Sequence, residues 1–140
     1  MQRPSYTLGI VALGVATLVA VPARASDTKL TEAVELRAGP SMGYPAVKRL
    51  ARGLKIQVHG CLSSWDWCDV AWRGTRGWVP SSIVEFQRED MRLLVDKYGP
   101  SLGVPEVNFV LTSYWGANYS TSVWYADRDM WRRRSARDGF

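Results

Sequence analysis

LKIQVHGCLSSWDWCDVAWRGTRGWV, residues 54–79, decides the fold. Leu54, Ile56 and Val58 alternate with Lys55 and Gln57, the two-residue period of a half-buried strand. After the Ser63-Ser64 turn the alternation resumes, with Cys68, Val70 and Trp72 on one face and Trp67, Asp69 and Arg73 on the other. Arg73-Gly74-Thr75-Arg76 reads as a second hairpin turn, and Gly77-Trp78-Val79 as the strand that follows it. Three strands joined by short turns within 26 residues belong to a small antiparallel β-structure.

Within this stretch Cys61 and Cys68 are separated by six residues that suit a hairpin. An even cysteine count in a small exported domain predicts a disulfide. Such an eight-residue ring should stabilise the fold by about 2.5 kcal/mol in the chain-entropy model. Strict alternation opposes the pairing, because Cys61 has the polar parity of Lys55 and Gln57 whereas Cys68 has the parity of Val70. A facing pair therefore requires a bulge, expected at Gly60.

Toward the N-terminus, Val34 and Leu36 alternate with Glu35 and Arg37 in a first strand. Residues 38–45, with Gly39-Pro40, Gly43 and Pro45, form a turn-rich loop, and residues 46–50 return as a second strand. The polar segment 26–31 reads as a flexible lead-in. Before it, Arg3 precedes an apolar run from Leu8 to Val21, followed by Pro22 and Ala23-Arg24-Ala25, the layout of a secretory signal peptide cleaved after Ala25. An uncleaved N-terminal anchor is the other reading, although the run is shorter than the roughly 20 residues of a membrane-spanning helix. Cleavage leaves 115 of the 140 residues, enough for one small core with an appendage. It also lowers the net charge from +5 to +3 by removing Arg3 and Arg24. That balance carries no nucleic-acid signature. It reads as simple solubility, or at most as an anionic envelope partner.

Beyond residue 79, Pro80 to Ile83 should make a single 3₁₀ turn before a strand over 84–86. The pieces Leu36-Arg37-Ala38-Gly39-Pro40-Ser41, Tyr44-Pro45-Ala46-Val47, Lys55-Ile56-Gln57-Val58, Trp67-Cys68-Asp69-Val70 and Gly74-Thr75-Arg76-Gly77-Trp78-Val79, in that order, resemble a bacterial SH3 (SH3b) domain over roughly residues 31–86. The resemblance implies a mainly β fold, a small SH3-like barrel of five to six strands. It also implies an exported, non-enzymatic module that binds peptidoglycan or another envelope component. The division expected is a signal peptide over 1–25, a barrel over 26–86 and a C-terminal extension over 87–140.

Chemistry is sparse. The sole histidine, His59, has the solvent parity of its strand, and both cysteines are committed to a disulfide, so no nucleophile with a base remains. Two cysteines and one histidine are too few for a metal site, and no cofactor is expected. Asp66 and Asp69 flank a turn and read as hairpin-stabilising residues. Tryptophan is abundant, with seven residues. Trp72 and Trp78 are expected to fill the barrel core, whereas Tyr44 in the long loop and Trp65 at a hairpin tip are expected to be exposed. In SH3-like barrels these loops lie side by side, so the resemblance places Tyr44 and Trp65 along one groove, and Tyr44, Trp65 and Trp67 are the candidate ligand-binding residues.

In the extension, Met91, Leu94, Val95 and Tyr98 fit either a helical stripe or a strand ended by Gly99-Pro100, and residues 106–115 have the composition of a further strand. Residues 124–134 read as a short helix or a disordered tail, with Trp124, Tyr125 and Trp131 beside Arg128, Arg132, Arg133, Arg134 and Arg137. Two functions follow. One is a periplasmic or secreted module that recognises cell-wall peptidoglycan or an envelope peptide through its barrel loops. The other is an interaction scaffold whose tail docks on an envelope protein or makes a weak contact with an anionic membrane surface. For Trp124 and Trp131, packing onto the barrel is favoured over membrane contact.

Overall fold

A computed structural model describes residues 27–138; the signal peptide expected over 1–25 lies outside the described residues. Eight strands form two antiparallel sheets. The larger has the order β3-β2-β6-β5-β4, built from β2 (Val34–Arg37), β3 (Ala46–Leu50), β4 (Gln57–Cys61), β5 (Trp67–Trp72) and β6 (Thr75–Pro80). The smaller has the order β1-β7-β8, from β1 (Asp27–Leu30), β7 (Val84–Arg88) and β8 (Met91–Leu94). The 3₁₀ turn at Ser81–Ile83 links β6 to β7, as the sequence predicts.

The barrel core follows the alternation. Leu30, Leu36, Leu50, Ile56, Val70, Val79 and Val84 are buried together with Cys61 and Cys68. The lead-in is not flexible: Thr28 and Leu30 alternate inward, and β1 pairs with β7 from Asp27 opposite Gln87 to Leu30 opposite Val84. Hydrophobic burial of Leu30 orders a segment whose composition is polar. Cys61 and Cys68 stand directly opposite one another and are disulfide-bonded. The register shifts between Val58 and Gly60, so the predicted bulge is present and resolves the parity conflict.

The extension is more than an appendage. β8 pairs with β7, after which come α1 (Val95–Tyr98), a 3₁₀ turn (Pro100–Leu102), α2 (Leu111–Asn118), a second 3₁₀ turn (Tyr125–Asp127) and α3 (Arg128–Arg137). The strand expected over 106–115 is instead an extended run that turns into α2. Leu111 and Trp115 lie one helical turn apart and are both buried, so packing of that face overrides β-propensity. They join Ala38, Tyr44 and Tyr119 in a second cluster, with Phe109, Tyr114, Trp124, Tyr125 and Trp131 packed against it. A second aromatic core thus lies between the barrel and its extension.

Candidate ligand-binding site

The outer face of the β5–β6 hairpin is the floor of the site. In the register Asp69 opposes Trp78, and Ala71 opposes Arg76, so Asp69, Arg76 and Trp78 share the face away from the barrel core. Trp78 was expected inside the barrel. It is buried, but on the outside of the hairpin, where Phe109 and Tyr114 cover it at ring-centroid distances of 5.6 and 5.8 Å.

Asp69 is a carboxylate with only 4 % of its surface exposed. A buried charge needs partners on its lone pairs, and Asp69 has three. Arg76 donates from Nε at 2.8 Å and from Nη2 at 2.6 Å, a bidentate fork, and the Tyr114 hydroxyl donates at 2.7 Å. The hydrogen bond to Asp69 raises the Arg76 pKa, keeping the guanidinium charged. Burial pushes both Tyr114 and Tyr119 well above the ordinary phenol value, so each stays protonated and able to donate. Tyr119 donates to the Arg76 carbonyl at 2.7 Å. His59 is half-buried rather than on the surface, and desolvation, followed by the repulsion of Arg76, lowers its pKa. Both effects disfavour the imidazolium.

The extension covers this floor as a strand would. The Cys61 N–H donates to the Pro105 carbonyl at 2.9 Å, and the Val107 N–H donates to the Cys61 carbonyl at 2.8 Å, so residues 105–107 add to the free edge of β4. Gly60 permits this approach: a Cβ there would lie 2.4 Å from Val107 Cγ1 and 2.8 Å from the Pro105 oxygen. Phe109 then meets Tyr44 edge-on at 5.4 Å, and the Trp115 indole donates to the Ala38 carbonyl at 2.7 Å.

Two expected exposures are corrected by this arrangement. Tyr44 is buried, 7 % exposed, beneath Phe109 and Trp115. Trp65 is half-buried against the barrel cluster, with its ring so close to Gly99 that a Cβ there would be 2.1 Å from it. Trp67 is buried as well. Tyr44 and Trp65 belong to different clusters and share no open groove, because the extension folds back over the aromatic surface that the loops would otherwise present. Trp124 lies against Trp115 at 4.6 Å, and Trp131 packs on the same cluster, so both tail indoles face inward.

A shallow recess of about 300 Å³ lies on the seam, where Arg76 from the barrel meets Asn108, Val110, Ser113, Tyr114 and Asn118 from the extension. Arg76 Nη1 makes no hydrogen bond among the described residues, and a third of the side chain is exposed. The recess therefore offers a rigidly held cationic donor beside amide and hydroxyl groups, suited to a carboxylate or a carbonyl. It is not legible in the sequence because all of its lining except Arg76 comes from the extension, where neither periodicity nor a functional motif marks a site. The outward parity of Asp69 and Arg76 across one hairpin was the available signal.

Among the described residues no group of three His, Cys, Asp or Glu side chains gathers to hold a metal. No curated protein and no solved structure matches the chain. Residues 32–85 match the family model described as bacterial SH3 domain. The strands β2 to β6, the disulfide hairpin and the buried alternation lie within that span, and this part of the chain is a bacterial SH3 domain.

Proposed function

We propose that the protein is an exported, non-enzymatic binding module that recognises peptidoglycan stem peptides, or another carboxylate-bearing envelope peptide, in the seam recess. The family supports the general part of this reading, since bacterial SH3 domains are generally binding modules and often take peptidoglycan. The disulfide and the family together fit an extracellular or periplasmic location, and the leader-like run before residue 26 agrees with export. The observation that carries the proposal is the Arg76 guanidinium, locked by Asp69, which Tyr114 holds in turn, with Nη1 bonded to no acceptor among the described residues. Tyr44 supports the extension through its contacts with Phe109 and Trp115, Trp67 is buried in β5, and the Trp65 ring packs at Gly99. Direct contact between a ligand and these three requires the extension to lift.

Sedimentation of residues 26–140 with purified peptidoglycan tests the reading. Asn108→Ala combined with Ser113→Ala changes two exposed lining residues, and the pair should weaken binding by about tenfold, the worth of one or two lost hydrogen bonds. Arg76→Gln combined with Asp69→Asn removes the cation without leaving a buried charge, and should abolish binding while the protein stays folded. Undiminished binding by both folded variants contradicts the proposal.

A further inference from the structure

We propose that Lys48, Trp72 and Arg73 form a second binding site, separate from the seam recess, for an acidic polysaccharide. Trp72 ends β5 on its inward parity, packs in part on the barrel cluster and remains half-exposed. Two cations converge on its ring. Lys48 Nζ, from β3, lies 5.1 Å from the ring centroid, and the Arg73 guanidinium carbon lies 4.7 Å from it. Cations over an indole face are attracted by its quadrupole, but they also repel one another, and no carboxylate offsets this here.

The contrast with other barrel cations is informative. Lys29, Lys55 and Arg76 each have a carboxylate within 3.4 Å. Lys48 and Arg73 have no ion-pair partner among the described residues, and neither do Arg49 and Arg52, which follow Lys48 in β3 and its turn. Lys48 on the β2–β3 hairpin and Arg73 on the adjacent β5–β6 hairpin, brought together at Trp72, make a surface whose complement is anionic.

The partner is a glycan rather than a membrane. The large apolar residues most exposed among those described are Met42, Met91, Tyr98, Val110, Val123 and Met130, and none lies on β3 or in the β5–β6 turn, so the half-exposed Trp72 has no further apolar anchor beside it with which to hold lipid. A sugar bearing a carboxylate or sulfate supplies both halves of the match. Its anion meets the Lys48 and Arg73 charges, and its apolar C–H surface meets the part of the indole that stays exposed.

The test follows the indole N–H resonances of the full chain, labelled at tryptophan, during titration with dextran sulfate, neutral dextran and phosphatidylglycerol vesicles. Trp72→Phe assigns the Trp72 signal. Dextran sulfate should shift that signal saturably and leave the buried Trp115 signal in place. Raising salt to about 1 M, where the screening length is near 3 Å, should abolish the shift. Lys48→Gln with Arg73→Asn should weaken binding at least tenfold. Asparagine is chosen because Arg73 has φ 46°, in the left-handed region that asparagine tolerates. If the Trp115 signal moves in that variant, exposed Lys48→Gln alone is used, with a threefold loss expected. Equal affinity of the variant with Trp115 unmoved, equal response to neutral dextran, or an equal response to vesicles would overturn the proposal.

Discussion

Arg76 and Asp69 show how one pair of residues can serve both folding and recognition. A buried carboxylate is costly unless its lone pairs are filled, and bidentate arginine with a tyrosine hydroxyl fills them. The same bonds fix the guanidinium in one orientation, so the part facing the recess is ordered before any ligand arrives. His59 shares this environment and adds a pH dependence. Its folded-state pKa lies below the ordinary value because burial and Arg76 disfavour the imidazolium. The unfolded chain therefore binds the proton more readily, and stability falls as pH drops below about 6.5, levelling off beneath the folded-state pKa. Above about 6.5 the group contributes no slope. Urea titrations from pH 7.5 to 5 should show this loss in the parent protein and a flatter profile in His59→Gln. An identical slope in both would mean that His59 is not desolvated.

At the level of elements, the barrel was legible in the sequence and the extension was not, for separate physical reasons. Leu54, Ile56, Val58, Val70 and Val79 alternate because one side of each strand meets the core, and alternation is visible in any single sequence. The conflict between Cys61 and Cys68 even located the bulge beside Gly60. Residues 105–119 follow no such period. Their first part pairs through backbone atoms with β4, and their second part is a helix whose face is chosen by Tyr44, Ala38 and Trp78, residues 30 to 80 positions away. Contacts of that range cannot be read locally, and the exposures expected for Tyr44 and Trp65 failed for the same reason. The strand addition at Gly60 is testable. Gly60→Ala drives a Cβ into Val107 and the Pro105 carbonyl, and overpacking of this kind should cost about 1–3 kcal/mol in denaturant unfolding. Faster amide exchange at Val107 should accompany it. A variant as stable as the parent would show that residues 105–107 do not lie against β4.

For the whole molecule, the account rests on barrel and extension forming one cooperative unit. Two clusters meet along the β5–β6 hairpin: the aliphatic one inside the barrel and the aromatic one outside it. Hydrogen bonds from Trp115 to Ala38, from Tyr114 to Asp69 and from Tyr119 to the Arg76 backbone cross that boundary. The seam recess exists only while it is closed, since Arg76 comes from one side and Asn108, Ser113 and Asn118 from the other. Native-state hydrogen exchange with increasing denaturant measures this directly. The Val107 amide and the Trp115 indole N–H should open with the same free energy and the same denaturant dependence as the Val70 and Val79 amides inside the barrel. Release of Val107 and Trp115 in a separate, lower-energy step, with the barrel amides still protected, would contradict the account.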